Sequence, residues 1–510
     1  MKIKRIAIVG GGTAGWLAAN HLGVELSRDP DIAITLIESK DVPIIGVGEG
    51  TVPRIRDTLK KFGISELELI TSCEVTFKQG IKFANWLDYG DAHGENNFYY
   101  HPFAPPYPSG YDLTHYWLDS GNAFEFAKLS DAYTLSELKK SPKQKSSPPY
   151  EGVVDYAYHF NAANFSELLA KNARNKYAVK HKFETVERAK KNADGSIKSL
   201  VYASGQEEEF DFYIDCSGFA ALLLGNTLGV PFIDKSKQII TNSALVYRQP
   251  LIEDEELSPY TLATAHKAGW VWEIPLTSRK GYGFVYADDF ISDDDAVKNF
   301  SEYLGKDLQN ENVRKIPMTI GYRDVFWEKN CVSLGLAQGF VEPLEATSIL
   351  VTDFSASIIA RNFPTMVEDI PALSKYCNKV VTYTWERVID FVQLHYLLSN
   401  RRDSDFWHES TRRENISDVL SDRLEAWKIN SPKKSDFFSR FDIFGPENYL
   451  YVLYGMEFPT RSSYLSHENR ERSTEFILAS QQKSLQMSQA LLSHREWLTE
   501  LKKAVASQNA

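Results

Sequence analysis

The chain has 510 residues, 43% of them apolar, enough to bury one large core or a few smaller ones. Its formal charge of −11 argues against a general nucleic-acid partner. Four cysteines, Cys73, Cys216, Cys331 and Cys377, stand far apart without a C-x-x-C pair, which argues against a structural zinc site and suits a reducing cytoplasm. No apolar run approaches membrane-spanning length, and a strand opens the chain almost at once, so neither a membrane segment nor a signal peptide is expected. The 29 Phe, 26 Tyr and 10 Trp suit either a large core or a flat ligand.

Residues 4–9 are an apolar run that predicts a buried parallel strand. Gly10-Gly11-Gly12-Thr13-Ala14-Gly15 follows, then a helix-like run from Trp16 to Leu22, then a second strand over 32–38 that ends in Glu38. Strand, G-x-G-x-x-G, helix, strand and acid in this order predict a dinucleotide site. The glycines let the backbone approach a pyrophosphate, the helix start favours its charge, and Glu38 is placed to accept hydrogen bonds from a ribose. Further small-residue turns recur at 46–53, including Gly48 and Glu49, at Asp215-Cys216-Ser217-Gly218 and at Gly335-Leu336-Ala337. Turns spread so widely suit a long FAD. No second complete fingerprint is present, so reduced flavin is expected from a separate NAD(P)H-dependent reductase.

Residues 75–86 are strand-like and aromatic around Lys78, and a lysine on a strand is ordinarily a solvated surface residue. The basic, Pro- and Ser-rich stretch 137–149 reads as a solvated, mobile loop. His159 to Phe165 leads into an amphipathic helix, and strand-like pieces at 178–187 and 196–202 flank a turn at 192–195. Trp270 and Trp272, two apart in Gly269-Trp270-Val271-Trp272-Glu273-Ile274-Pro275, share one face of a strand and form an apolar wall. Glu342 to Ile349 opens a helix predicted over 348–361, where carboxylates complement the helix dipole. Helices are predicted over 380–398 and as one long run over 473–506, with His395 read as a satisfied core histidine.

Three stretches carry a resemblance: the Trp-x-Trp-x-Ile-Pro box, the segment Lys78-Gln79-Gly80-Ile81-Lys82-Phe83-Ala84-Asn85-Trp86, and Pro343-Leu344-Glu345-Ala346-Thr347. Together they resemble the flavin-dependent halogenases, supported by Leu394-His395-Tyr396, Arg401-Arg402-Asp403 and Phe406-Trp407. The resemblance implies an α/β fold: a flavin-monooxygenase-like FAD module with an interleaved sheet over 1–350 and a helical cap over 351–510. It implies FAD contacts at Gly10, Gly12, Thr13, Ala14, Gly15, Glu38, Gly48, Glu49, Asp215, Gly335 and Leu344. Lys78 and Glu345 are implied as catalytic, and the amides of Thr347 and Ser348 as the chloride or bromide seat. Serine stands at 348 where the family commonly has glycine.

The implied reaction uses FADH2, O2 and halide to make hypohalous acid. Lys78 then holds it by hydrogen bond or captures it as a haloamine, while Glu345 polarises the halogenating species or acts as base. Trp270 and Trp272 would separate flavin from substrate. His101, Phe103 and Tyr449 are implied to line the pocket of a small electron-rich aromatic. Relatives specific for free tryptophan carry Glu-Asn-Tyr-Tyr, whereas this chain has Glu447-Asn448-Tyr449-Leu450, which points to indole or an indole derivative. A flavin-dependent aromatic hydroxylase on the same fold is the alternative, and a homodimer is expected only by resemblance.

Overall fold

The structure is a computed structural model that describes residues 1–41, 48–90, 93–252, 254–308, 311, 313–461 and 465–508. Gly46 and Val47 of the second glycine-rich turn lie outside the described residues.

Among the described residues, a six-stranded sheet is built around the buried strand Arg5–Val9. That strand pairs in parallel with Ala33–Glu38 on one side and Phe212–Asp215 on the other, and Cys331–Ser333 adds in parallel beyond. Val9 stands beside both Ile37 and Asp215, and Asp215 beside Ser333. Parallel pairing in this register brings the turns after each strand to one carboxyl edge, where open α/β sheets bind ligands. Helix Thr13–Leu26 leaves the first of these turns and packs against helices Ala162–Tyr177 and Thr347–Arg361.

A seven-stranded sheet stands beside the first. In it the tryptophan strand Gly269–Pro275 runs antiparallel between Thr261–His266 and Arg279–Tyr286, and Thr261–His266 joins Gly80–Ala84 and then Phe98–Pro102. Trp272 faces Gly283 across the ladder, and a Cβ there would lie 1.9 Å from the indole, so the ring occupies space that only glycine leaves. A small third sheet pairs Ala157–Phe160 with both Glu49–Gly50 and Thr76–Lys78. It sets Lys78 opposite Ala157, next to Gly50.

Beyond Phe340 the named elements are helical. The helix expected over 380–398 begins earlier, at Ile370, because Ile370 and Cys377 bury among polar neighbours that hide the period. The run expected over 473–506 is two helices, His467–Ala490 and His494–Gln508. The break has a partner: Ser141 N–H donates to the Leu492 carbonyl, Lys140 Nζ to that of Leu491, and His494 N–H to that of Lys139. This also corrects the reading of 137–149 as solvated. Ser141 and Lys143 are buried, and Lys143 Nζ donates to Glu66 (3.0 Å), Tyr156 Oη (3.1 Å) and the carbonyls of Pro148 and Glu151. A buried ammonium needs such a ring of acceptors. The four cysteines are free thiols. Among the described residues no helix is long and apolar enough to cross a membrane.

Candidate active site

The carboxyl edge of the parallel sheet opens into a cavity of ≈ 530 Å³. Its wall includes Gly10, Gly12, Thr13, Ala14, Glu38, Gly48, Glu49, Gly335, Leu344 and Ser348, drawn from turns distant in sequence. Gly10 has φ +117° with its Cα against the Cys216 carbonyl, where a Cβ would come within 2.1 Å. Gly15 lies against the Gly10 carbonyl beneath the turn. Glu38 also accepts or shares a hydrogen bond with His181 Nε2 at 2.8 Å. Asp215 is fully buried, and its carboxylate is occupied by the amides of Ser217, Leu223 and Leu224. It therefore shapes the turn, whose Cys216, Ser217 and Gly218 form the wall. Burial pushes the Glu49 carboxyl up to about 7. The largely apolar cavity, the glycine backbone in its wall and the helix start fit a flavin dinucleotide.

Lys78 reaches this same cavity from the small sheet. It is 1% exposed, and its Nζ lies 3.2 Å from where a Gly50 Cβ would stand and 5.3 Å from the Phe103 ring centroid. Burial lowers its pKa to about 8, with the Glu345 charge opposing the fall. The strand that carries it is held from three sides. Gln79 N–H donates to the Pro259 carbonyl and Phe103 N–H to that of Gln79. Phe77 N–H donates to His494 Nε2 at 2.8 Å, while His494 Nδ1 meets the Leu257 carbonyl at 3.1 Å. Burial takes His494 down to about 4, so it stays neutral and keeps its acceptor. His159, bonded to Thr76 and Thr261, is held well below the usual range by burial and by Lys78.

Glu345 sits in a short turn before helix Thr347–Arg361 and is 1% exposed. His101 Nδ1 lies 2.9 and 3.0 Å from its two oxygens, and His395 Nε2 lies 2.9 Å from Oε1. Burial pushes this carboxyl up, but its interactions with His101 and His395 outweigh that and hold it at about 2. His395 is thus buried and satisfied as the sequence implied, yet its partner is the candidate catalytic carboxylate. Asn448 Nδ2 reaches His101 Nε2 at 2.9 Å. Tyr449 beside it packs one layer back, among Phe391, Trp427 and Phe437.

Thr347 and Ser348 are the first residues of their helix, whose opening amides lack intrahelical partners. Ser348 lines the cavity and Thr347 is buried with its hydroxyl on the Glu342 carbonyl. Trp272 lines the cavity, and Trp270 stands behind it, 6.0 Å away between ring centroids and 6.5 Å from Trp86. The supporting residues His159, His494 and Asn448 were missed in the sequence, because each is defined by a partner far away along the chain. The Asn448-Tyr449 pair was legible only as a segment, not as the atom that reaches His101. Among the described residues no cluster of His, Cys, Asp and Glu is arranged to hold a metal ion.

The sequence matches the family model described as tryptophan halogenase over residues 5–470. It is 32% identical over 483 residues to tryptophan 7-halogenase RebH of Lentzea aerocolonigenes, covering 89% of this chain and 90% of that protein. Its structure is similar to that of a tryptophan halogenase from Shewanella frigidimarina NCIMB 400, with TM-score 0.94, 34% identity and 98% of each chain covered. It is also similar to Xcc4156, a flavin-dependent halogenase from Xanthomonas campestris, with TM-score 0.88, 29% identity, and 98% and 99% coverage of this chain and that one.

Proposed function

Because the chain belongs to the tryptophan halogenase family, and so is a flavin-dependent halogenase of aromatic substrates, we propose that it is a two-component enzyme in which Lys78 delivers hypohalous acid to an indole-type ring. The reading rests chiefly on one observation: Lys78 and Glu345 are both 1% exposed, and Lys78 opens onto the cavity of the glycine turns. Gly10, Gly12, Thr13, Ala14, Glu38 and Gly335 would hold FAD. Reduced FAD, supplied by a separate reductase, provides with O2 the oxidising equivalent that converts halide to hypohalous acid.

The residues of the chain then divide the work. The Thr347 and Ser348 amides seat the halide at a helix start. Trp272, backed by Trp270, keeps the aromatic substrate off the flavin. Lys78, charged at neutral pH beside Glu345, donates a hydrogen bond to hypohalous acid and orients its halogen. Glu345 takes the proton that the ring loses after halogen adds. The first 350 residues provide the cavity, Lys78 and Glu345. The helical remainder provides His395, Asn448 and His494, which hold them in place.

The choice of indole over free tryptophan is supported by the residues that stand where relatives grip the amino acid. Leu450 replaces a tyrosine and is 1% exposed. In tryptophan-specific relatives a later glutamate also grips the amino acid, and that position falls near Met456 or Glu457: Met456 is apolar and buried, and Glu457 is turned to His93 at 3.0 Å. None of these offers a grip on an amino-acid zwitterion.

The test is mass spectrometry of indole, tryptophan and phenol incubated with the protein, FAD, a flavin reductase, NADH and bromide. Monobrominated indole is the expected product, exceeding brominated tryptophan. Oxygenated products that persist without bromide would assign the hydroxylase reading instead.

A further inference from the structure

The hydrogen bonds around Glu345 fix where the protons sit. Asn448 Oδ1 accepts the Gly445 N–H at 2.8 Å, which turns its Nδ2 toward His101 Nε2. An amide NH2 only donates, so His101 Nε2 accepts and carries no hydrogen. The single N–H of that ring is therefore on Nδ1, aimed at both Glu345 oxygens. On the other side, His395 Nδ1 lies 2.9 Å from the Phe391 carbonyl, which only accepts, so Nδ1 carries a hydrogen. His395 Nε2 still lies 2.9 Å from Glu345 Oε1. Two bare lone pairs do not meet at that distance, so one further proton lies between this nitrogen and this oxygen.

The groups that face the pair decide its side. Lys78 on the small sheet and Tyr99 beside His101 face Glu345. Glu342, bonded to Tyr396 Oη at 2.6 Å, faces His395. A cation beside the carboxyl and a carboxyl beside the ring both favour moving the proton to nitrogen. Oε1 then accepts from two histidines, while Oε2 accepts from His101 alone.

We propose that Asn448, His101 and His395 are positioning residues that lock Glu345 as a carboxylate paired with a His395 imidazolium and leave Oε2 as the atom that receives the ring proton. This rests on Glu345 being the base of the halogenation site. In the step itself the C–H bond at the halogenated carbon breaks and its electron pair restores the aromatic sextet. The proton goes to Oε2, and Glu345 becomes a neutral acid beside an unchanged imidazolium until that proton returns to solvent.

The test begins with nitrogen-15 NMR of histidine-labelled, FAD-bound enzyme, with His101 and His395 assigned by substitution to Gln. The expected spectrum shows His395 protonated on both nitrogens and His101 on Nδ1 alone. A neutral His395, or a His101 protonated on Nε2, overturns the proposal whatever the enzyme's activity. The second arm is kinetic. Gln at 395 keeps a donor to Glu345 but cannot carry the charge. In H395Q the acid limb of the single-turnover bromination rate should move up by about 1 pH unit or more, with FAD affinity unchanged. In N448L the Nδ1–H form of His101 should lose its dominance and the rate should fall about tenfold or more, short of the roughly 10²–10⁴ expected on losing the base itself in E345Q. An acid limb that stays in place in H395Q overturns the charge assignment. Full activity in E345Q overturns the function of the site while leaving the NMR result standing, so the two failures are distinguishable.

Discussion

Lys78 shows how burial changes the chemistry of a residue that pattern alone assigns to the surface. Its strand buries Thr76, Phe77 and Lys78 alike, so the polar face that Thr76 and Lys78 share points inward rather than to solvent. Replacing Lys78 by Ala should leave FAD binding intact and lower bromination by about 10²-fold or more, the scale of losing one donor at a developing charge. The pH dependence follows from a pKa near 8. The ammonium is present below that value and lost above it, so a donor role requires bromination to be full near pH 7 and to fall as pH rises through about 8. A rate that climbs over the same interval would assign the free amine and the haloamine route. Lys78, Glu345, the tryptophan box and the glycine fingerprint could be picked out because each lies in a local string, although the burial of Lys78 and Glu345 could not. His395 was legible as buried and satisfied, but its meeting with Glu345 depends on how a 29-residue helix packs against a turn. Nothing in the spacing of either segment encodes that.

Elements carry the next layer of support. The parallel strands were readable from their apolar runs, and the order of glycine turn, helix and acid gave the cofactor edge. The segment 137–149 was misread because its Lys, Ser and Pro content matches that of a solvated loop. The composition hid Lys143, whose burial is explained by Glu66 together with Tyr156 and two backbone carbonyls. Removing one partner of a buried pair costs about 3–5 kcal/mol. Lys143→Ala should therefore lower the melting temperature clearly, with halogenation per folded molecule changed much less. Thermal melts followed by tyrosine circular dichroism, alongside activity normalised to bound FAD, would check this. The last helix supports both stability and the lysine: His494 is buried and holds the amide one residue before Lys78, so His494→Ala should lower the melting temperature and, per folded molecule, lower the turnover number by up to about 10²-fold with little change in KM. His494→Gln, which restores an acceptor for the Phe77 N–H, should recover much of the rate. A variant pair with equal rates would remove His494 from the support of the lysine.

At the scale of the whole molecule, the sheet edge, the small third sheet, the tryptophan strand and the start of helix Thr347–Arg361 meet around one cavity. Trp272 fits there because Gly283 has no side chain, so Gly283→Ala would push the indole into the cavity. The expected outcome is weaker retention of flavin, read as a higher FAD dissociation constant by fluorescence titration. The opening strand, glycine turn, helix and strand were legible as an α/β unit, and the rest of the fold class came from the family resemblance. The route by which distant strands share a wall was not, because it is set by pairing between segments such as Gly80–Ala84 and Thr261–His266 that no local pattern links.

The bond between Phe77 and His494 spans 417 positions of sequence. A ribosome adding about 5–20 residues each second needs roughly 20–80 s to make the second partner after the first. Throughout that interval the nascent strand that carries Lys78 lacks the partner of its Phe77 amide, so its support is completed only when the last helix has been made.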